Sequence, residues 1–459
     1  MTLWTSAEVA AATGGTANAE FEVSGVTFDS REVGPGDLFL AMVGETTDGH
    51  RYLDQAFEAG AAGALVSVPT PHPHVLVPDT MKALEALGIA ARARMQGKVV
   101  GVTGSVGKTG TKEALFAALD RLEPGFAHRS VKSYNNHTGV PLSLARMPRD
   151  TRFGVFEMGM NHAGELAVLT RFVRPHVAMV TTIAPAHMGF FDSEAAIADA
   201  KGEIFQGLEP GGTGVIPHDS PYRDRLIAAA AGHAGRIVTF GMGEGADVRA
   251  IEAMRTRTGG TFVTARLGRR ELSFTVALPG AHWVSNALGV LAVIDALGGD
   301  LERTGLALAE LGGLPGRGQR FLTPVVGGEA LVIDESYNAN PASMRATLDV
   351  LRQESGRKLA VLGEMRELGD HSDAFHAELA GPIAAAGVEF AVLVGPLMKP
   401  LANALEGHID FVHVPDAASA RDRLFERLAA DDAVLVKGSN GVRLSSVVAA
   451  LSERQTCSI

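Results

Sequence analysis

The chain has 459 residues, of which 46% are hydrophobic, and it carries a net charge of −11 with a pI of about 5.8. This length predicts about two to four domains, and the acidic balance argues against a nucleic-acid binder or a protein of anionic membrane surfaces. Cys457 is the only cysteine, the N-terminus has no signal-peptide pattern and no long apolar run occurs, so we expect a cytoplasmic protein without disulfides or membrane insertion.

The first 80 residues alternate short strands and turns. The strand candidates are VTFDS, LFLAMVG and ALVS, with a helix through DQAFEAGAAG before the last of them. The stretch TPHPHVLVPDT at 70–80 is rich in proline and indicates a domain edge. We therefore expect a first α/β domain over 1–80, followed by a helix over about 81–95.

The most informative stretch is 99–113, VVGVTGSVGKTGTKE. Its β-branched start, Val99 to Thr103, predicts a buried strand, and an apolar period predicts a helix from Thr109 to about Leu122. A glycine turn joins the two. Strand, glycine turn, Gly-Lys-Thr and helix form a phosphate cradle, in which backbone N–H groups and the helix N-terminus face phosphate oxygens.

This loop is predicted to contact the phosphates of a nucleotide through five residues: Gly104, Ser105, Gly107, Lys108 and Thr109. The lysine would reach the outer phosphates, and the threonine hydroxyl can bind Mg²⁺. The strict spacing would place glycine at 102, where Val102 stands, so an ordinary strand-to-helix turn is the alternative. The complete context favours a nucleotide site.

Strands and helices continue to alternate through a second predicted domain, 81–312, and the pattern over 236–278 predicts an antiparallel flank. Glu157 ends the apolar strand FGVFEMG, in the position of a carboxylate that holds Mg²⁺ against phosphates. His187 follows the apolar run VAMVTTI and would reach the same sheet edge as a metal or phosphate partner. Structural capping is the alternative for both residues.

Lys201 lies in DSEAAIADAKGEIFQGL, which predicts one helix with Asp192 or Ser193 as its N-cap. The lysine is four residues from both Ile197 and Phe205, so it shares their apolar stripe. A lysine at such a position snorkels, pairs or is modified.

Further polar residues mark the second domain boundary. His282 and Asn286 are four apart at a helix start, where they either cap the helix or contact nucleotide. Arg317, in LPGRGQRF, lies on a glycine-rich hinge, where it is either a solvated linker residue or a phosphate contact on domain closure.

The last part, 313–459, predicts a doubly wound domain of dinucleotide-fold type, although no glycine fingerprint follows its first strand. Its five strand candidates are LVIDESYN, LAVLGE, FAVLVG, FVHVP and AVLVKG. Asp334 ends the first strand, Asn338 and Asn340 begin the next helix, and Lys437 ends the last strand. All lie at carboxyl ends of strands, where α/β sheets bind ligands.

Together these motifs resemble the Mur ligase family over nearly the whole chain. They include DSREVGPGDLFLAMVGETTDGH, TGSVGKTGTKE, NNHTGVPLSL, EMGMNHAGE, AHMGFF, AKGEIF, GAHWVSNAL, PGRGQR, DESYNANPASM, GEMRELGDHSDAFH and VLVKGS. NNHTGVPLSL, YNANPASM and EMRELGDHS resemble the branch that adds D-alanyl-D-alanine. Four residues depart from the family pattern: Val106, Thr182 and Trp283 stand where asparagine is usual, and Asn440 where arginine is usual.

The resemblance implies an ATP-dependent amide ligase of peptidoglycan precursor synthesis, with UDP-MurNAc-tripeptide and D-Ala-D-Ala as substrates and a monomeric chain. The three domains would bind the uridine substrate, ATP and the amine, in that order. Carried onto this sequence, the implied uridine-domain residues are Ser30, Arg31, Asp48, Gly49 and His50. Asn286, Arg317 and Asp334 resemble ATP contacts, and Asn338 and Asn340 the amine-side loop.

The family also implies two Mg²⁺ sites, with Thr109 at the first. Glu157, His187 and Lys201 resemble the ligands of the second, with the lysine N-carbamylated. Lys108, Lys201 and His187 would be the catalytic residues. The alternatives are a sister amide ligase, such as a folylpolyglutamate synthase or another Mur ligase, and a P-loop ATPase that switches conformation without ligation.

Overall fold

A computed structural model describes residues 2–44, 47–185, 188–257 and 259–456. His187 and Cys457 therefore lie outside the described residues. Three large sheets follow one another along the chain, with five, nine and six strands. Among the described residues, no helix is long and apolar enough to cross a membrane.

The described residues of the N-terminal part form seven short strands and three α-helices. They are β1 (Trp4–Thr5), α1 (Ser6–Thr13), β2 (Thr16–Ala17), β3 (Glu22–Val23), β4 (Gly25–Thr27), β5 (Asp37–Leu40), α2 (Leu53–Glu58), β6 (Gly63–Val66), β7 (His74–Leu76) and α3 (Thr80–Arg94). β1 pairs with β3, and the five-stranded sheet has the order β2-β7-β6-β5-β4 with only β2 antiparallel.

Helix α3 connects this sheet to the middle part. Asp79 is its N-cap residue, and the Asp79 carboxylate accepts hydrogen bonds from the N–H groups of Met81 and Lys82. Its apolar face, including Leu84 and Leu87, packs in one core with the N-terminal strands. The helix therefore belongs physically to the N-terminal core, and the boundary at residue 80 stays a prediction.

In the middle part, the residues that the structure describes form nine strands and seven α-helices. They are β8 (Lys98–Thr103), α4 (Lys108–Leu122), β9 (Ala127–Arg129), α5 (Gly139–Ala145), β10 (Phe153–Glu157), α6 (Glu165–Val173), β11 (Val177–Val180), α7 (Glu194–Gly202), β12 (Thr213–Pro217), α8 (Arg223–Ala231), β13 (Arg236–Gly241), β14 (Val248–Arg255), β15 (Thr261–Leu267), β16 (Arg270–Val276), α9 (Ala281–Ala296) and α10 (Leu301–Glu310).

The nine strands form one sheet in the order β16-β15-β14-β13-β12-β11-β8-β10-β9. Successive side chains of β8 enter opposite cores: Val100 packs with Leu115 of α4, and Val99 with Leu166 of α6. This explains the continuous apolar run, because both faces of the sheet are covered by helices. β8 lies between β11 and β10, so the loop after β8 opens at the carboxyl edge where Glu157 ends β10.

The C-terminal part, as described up to residue 456, forms six strands and six α-helices. They are β17 (Gln319–Val325), β18 (Gly328–Glu335), α11 (Pro341–Arg352), β19 (Lys358–Gly363), α12 (Ser372–Ala377), α13 (Ala380–Ala385), β20 (Val388–Val394), α14 (Lys399–Leu405), β21 (Asp410–Val414), α15 (Ala417–Phe425), β22 (Ala433–Lys437) and α16 (Ser445–Thr456). The order is β17-β18-β22-β19-β20-β21, with only β17 antiparallel, so the predicted doubly wound domain is confirmed.

Three sequence-based details differ from the structure. Strand β13, within the predicted antiparallel flank 236–278, pairs in parallel with both neighbours, and only β14–β16 are antiparallel. The six-stranded sheet has an additional strand, β17, which forms a hairpin with β18. The helix predicted around Lys201 ends at Gly202 and continues as a 3₁₀ turn over Glu203–Gly207, with Ser193 as its N-cap.

Candidate active site

The loop between β8 and α4 has a backbone that only glycine adopts easily. Gly104 has φ of +147° and Gly107 has φ of +88°. A Cβ on Gly107 would lie 3.0 Å from the Asn286 side-chain amide, and one on Gly104 would lie 1.9 Å from Thr181 Oγ1. The glycines therefore let this loop turn closely into the start of α4, whose first N–H groups face outward.

A cavity of about 300 Å³ opens in front of this loop, between the middle and C-terminal sheets. The middle part contributes the loop residues 105–110, together with side chains from β10 and the start of α9. The C-terminal part contributes the hinge around Arg317, the end of β18, the start of α11 and the end of β22. The cavity thus brings together residues predicted for ATP and for the amine substrate.

Glu157 is 1% exposed and is held by three hydrogen bonds. Its Oε2 accepts from the Thr109 hydroxyl at 2.7 Å, and its Oε1 accepts from the Asn135 amide at 2.7 Å. The Glu157 backbone N–H donates to Ser130 Oγ at 3.1 Å. The predicted first-site and second-site metal ligands are therefore adjacent, and the carboxylate has a fixed orientation.

Lys108 and Arg317 are two of the cations that line the cavity. Lys108 Nζ donates to the Gly104 carbonyl oxygen at 2.7 Å, and burial lowers the pKa of this lysine, partly offset by the negative charge of Glu157. Arg317 lies over the Tyr337 ring at 4.0 Å and donates to Ser133 Oγ at 3.1 Å. Both cations face the space where the charge of a triphosphate could be neutralised.

Lys201 is 1% exposed on α7, as its position on the apolar stripe predicts. Burial lowers its pKa well below the usual value, and the positive charge of Lys108 lowers it further. The Lys201 ammonium group therefore lies within electrostatic range of Lys108 in the phosphate loop. The predicted partner His187 lies outside the described residues.

Asp334 does not line the cavity. It is buried behind the hinge, where Oδ2 accepts from the Gly316 N–H at 2.6 Å and Oδ1 accepts from the backbone and hydroxyl of Ser336. The next residue, Glu335, points into the cavity instead, as expected when successive strand residues face opposite ways. The role of Asp334 as an ATP contact stays a prediction.

The amine-side residues lie on the cavity wall opposite the phosphate loop. Asn340 caps α11 by accepting from the Ser343 N–H at 2.9 Å, and the Asn338 carbonyl accepts from Lys437 Nζ at 3.0 Å. Lys437 also lies 3.6 Å from the Glu335 carboxylate. Burial raises the pKa of Glu335 and lowers that of Lys437, so this pair is weakly solvated inside the cavity.

The predicted uridine-domain residues form a separate group in the N-terminal part. Arg31 pairs with Asp29 and is largely exposed. Asp48 caps the 3₁₀ turn Gly49–Tyr52 and lies 2.6 Å from His50 Nδ1, while His50 Nε2 accepts from the Ser67 N–H. These residues do not line the cavity, and their ligand stays a prediction.

The residues at the loop fit magnesium nucleotide. A Thr109 hydroxyl and the Glu157 carboxylate supply hard oxygen donors, and Mg²⁺ usually takes only one or two carboxylates besides phosphates and water. The described residues contain no group of three or more histidine, cysteine or acidic side chains that could hold a metal ion.

Comparisons with known proteins agree with this geometry. Residues 22–105 match a model of the Mur ligase family catalytic domain, 102–294 the Mur ligase middle domain, and 316–440 the Mur ligase glutamate ligase domain. UDP-N-acetylmuramoyl-tripeptide–D-alanyl-D-alanine ligase of Escherichia coli K12 is 34% identical, covering 96% of each chain. The chain belongs to the Mur ligase family.

Solved structures of Mur ligases superpose on nearly the whole chain. MurF from Acinetobacter baumannii has 32% identity and a TM-score of 0.85, covering 98% of this chain and 99% of that one. MurF from Thermotoga maritima in complex with ADP has 25% identity and a TM-score of 0.78, covering 94% and 98%. The predicted family and three-part fold are confirmed.

Several cavity residues of this Mur ligase were not selected from the sequence: Ser133, Asn135, Glu335 and Tyr337. Asn135 belongs to the motif NNHTGVPLSL, so a motif signal existed for it. Glu335 and Tyr337 belong to the motif DESYNANPASM, so the same kind of signal existed for them. Ser133 lies outside these motifs in an irregular segment, where no periodicity indicates a side-chain direction. Trp283, one of the departures from the family pattern, lines the cavity and packs on Gly110, where a Cβ would lie 2.6 Å from its ring.

Proposed function

We propose that this chain is a UDP-N-acetylmuramoyl-tripeptide–D-alanyl-D-alanine ligase, which joins D-Ala-D-Ala to the tripeptide with hydrolysis of ATP to ADP and phosphate. The observation that carries the proposal is the shared cavity: the phosphate loop with Lys108 and Thr109 faces the amine-side residues Asn338 and Asn340. The near full-length likeness to ligases of this name supports the choice within the family.

The reaction has two steps, which are linked by an acyl-phosphate intermediate. The terminal carboxylate of the tripeptide attacks the γ-phosphorus of ATP, which forms an acyl phosphate and releases ADP. The amine of D-Ala-D-Ala then attacks the acyl carbon, loses a proton and expels inorganic phosphate as the amide forms. Both nucleophile and triphosphate are anionic in the first step, so cations must offset their repulsion.

The residues of the cavity match these demands. Lys108 and Arg317 approach from different walls and neutralise phosphate oxygens. Thr109 and Glu157 would hold Mg²⁺, which supplies further charge neutralisation when bound. The walls come from two domains, so their closure keeps water from the acyl phosphate.

We also propose a second Mg²⁺ site formed by Glu157, His187 and a carbamylated Lys201. Burial beside Lys108 disfavours the ammonium form of Lys201, and a neutral amine can add CO₂ with loss of one proton. The carbamate is an anion able to ligate or orient the metal. Electron density or mass analysis of the metal-loaded protein should show a carboxyl group on Lys201 Nζ, and a plain ammonium in that state would refute the proposal.

The N-terminal residues Ser30, Arg31 and the 48–50 turn are proposed to bind the uridine nucleotide of the substrate. We also propose that the chain is a monomer and acts in the cytoplasm, where nucleotide-linked precursors and ATP are present. Gel filtration coupled to light scattering at working concentration tests the oligomeric state.

The decisive experiment measures phosphate release with ATP, UDP-MurNAc-tripeptide and D-Ala-D-Ala, followed by mass analysis of the product. We expect phosphate release to depend on both the carboxylate and the amine, and the product to gain the mass of D-Ala-D-Ala less one water. Parallel reactions offer single amino acids in place of the dipeptide. Product with a single amino acid only would indicate a sister ligase, and phosphate release without either substrate would indicate an ATPase.

A further inference from the structure

Lys112 is a buried cation that the proposed mechanism does not use. It lies on α4, one turn beyond the phosphate loop, and its side chain is 0% exposed. Its Nζ donates to the carbonyl oxygens of Ser130 and Lys132 at 2.9 Å each and pairs with Glu113 Oε1 at 2.9 Å. All three donor hydrogens of the ammonium group therefore have acceptors.

The two carbonyls belong to the segment 130–135, which follows β9 and is irregular. Within it, Lys132 has φ of +52°, a left-handed conformation that is uncommon for residues with a side chain. Lys112 binds the carbonyl of this same residue. The buried ammonium thus holds the segment in a backbone shape that its sequence does not favour.

The segment 130–135 supplies two contacts to the proposed metal ligand. Ser130 Oγ accepts from the Glu157 N–H at 3.1 Å, and the Asn135 amide donates to Glu157 Oε1 at 2.7 Å. The Asn135 carbonyl also accepts from the Gly159 N–H at 2.7 Å. The orientation of the Glu157 carboxylate therefore depends on where this segment lies.

The same segment contacts the other two parts of the chain. Ser133 Oγ accepts from Arg317 at the C-terminal hinge, and Lys132 pairs with Glu32 of the N-terminal part. The Tyr134 ring lies 5.9 Å from the Phe28 ring. Six consecutive residues thus join the uridine-substrate part, the nucleotide cavity and the hinge.

We propose that Lys112 is a positioning residue, which fixes the segment 130–135 and through it the Glu157 carboxylate, and so determines how tightly the cavity binds a divalent cation with nucleotide. This inference rests on the proposed magnesium-nucleotide site. A purely stabilising lysine would contribute to folding but would leave cation affinity unchanged, so the two roles differ in a measurable quantity.

The test compares Lys112→Met with Arg92→Met. Arg92, on α3, is a matched control because it is also buried, donates to two backbone carbonyls of the middle part, of Val173 and Arg174, and pairs with Glu209, away from the cavity. Mn²⁺ binding to the ADP complex is measured by electron paramagnetic resonance without turnover, and ADP binding without metal by calorimetry.

We expect the Kd of Mn²⁺ to rise about 10- to 100-fold in Lys112→Met, the range found when partners that orient metal ligands are removed. The Kd of ADP without metal should change less than about threefold, because Lys112 does not line the cavity. Arg92→Met should keep the wild-type Mn²⁺ affinity even if it lowers stability. A folded Lys112→Met with unchanged Mn²⁺ affinity, or an equal loss in Arg92→Met, would overturn the inference.

If Lys112→Met does not fold, Ser130→Ala decides the question. This change removes only the hydroxyl that accepts from the Glu157 N–H, and it should weaken Mn²⁺ binding in the same direction. Unchanged affinity in Ser130→Ala would then overturn the inference. The outcome is separate from the proposed function: a wild type that binds Mn²⁺ and ADP but forms no amide product refutes the ligase proposal alone.

Discussion

Replacing Lys108 by methionine should stop ligation and at the same time stabilise the ligand-free protein. The side chain faces the nucleotide cavity, and burial lowers the pKa of its ammonium group. Without phosphate nearby, the positive charge opposes folding, partly offset by Glu157. Methionine keeps most of the volume and removes the charge, so function and stability should change in opposite directions.

The expected loss in kcat and the expected gain in the free energy of unfolding have different physical causes. Losing one preorganised charge that stabilises a developing anion costs about 3–4 kcal/mol, or about 10²- to 10³-fold in kcat. Replacing a poorly solvated charge by an apolar side chain should raise the free energy of unfolding by about 1–2 kcal/mol. Because the folded pKa of Lys108 is below its usual value, this gain should be present at neutral pH and disappear as pH rises through the usual lysine range.

The assay combines phosphate release with chemical unfolding, and Lys98→Met serves as the control. Lys98 begins the same strand, β8, at its opposite end and is exposed, so its replacement should alter neither quantity appreciably. ADP should raise the unfolding temperature of the wild type and of Lys98→Met but not of Lys108→Met. Near-normal turnover in Lys108→Met, or a clear loss of stability in the absence of nucleotide, would refute the reasoning.

Three other outcomes are expected. Gly107→Ala should weaken ADP binding about tenfold or more in a calorimetric titration, because φ of +88° and the Asn286 amide at 3.0 Å leave no room for a methyl group; affinity within twofold of wild type would contradict this. Changing Asn338 and Asn340 together to alanine should raise KM for D-Ala-D-Ala more than KM for ATP in steady-state kinetics, whereas a rise for ATP alone would remove them from the amine site. Burial lowers the pKa of His128 to about 4, so its contribution to stability, full above the usual histidine pKa, should be lost as pH falls towards 4. The free energy of unfolding, measured with urea, should fall between pH 7 and pH 5 by about 2 kcal/mol less in His128→Gln than in wild type. An equal fall in both proteins would contradict the assignment.

Helices and strands whose apolar residues follow a regular pattern could be predicted from the sequence. The strand before the phosphate loop and the helix after it lie within a residue of their expected bounds, since a continuous apolar run and a 3.6-residue period leave few alternatives. Lys201 is buried for the same reason, because its stripe position is set by helical geometry. The hairpin strand β17 was missed because its residues alternate only weakly and one of them is proline.

Side-chain direction at strand ends was harder to predict. The end of β18 was expected to present Asp334, yet Glu335 faces the cavity while Asp334 holds the hinge from behind. Successive side chains of a strand point to opposite faces, so neighbouring residues at a strand end face different surroundings, and the role of Asp334 as an ATP contact stays a prediction. The segment 130–135 could not be predicted either, because its shape depends on Lys112 and Glu157, which are distant in sequence and leave no periodic signal.

The division of the cavity between two domains has a consequence for the discovery of inhibitors. A compound that contacts Lys108 on one wall and Lys437 on the other gains both contacts only when the walls are together. Such a compound favours the closed arrangement of the domains to the extent that it binds this arrangement more tightly than the open one. An affinity about 10⁴-fold higher for the closed arrangement changes a closed-to-open ratio of 1:99 to 99:1. A triphosphate mimic that contacts only the glycine loop binds both arrangements equally well, so it leaves their populations unchanged. Screening by domain-closure fluorescence would therefore separate the two classes at equal affinity.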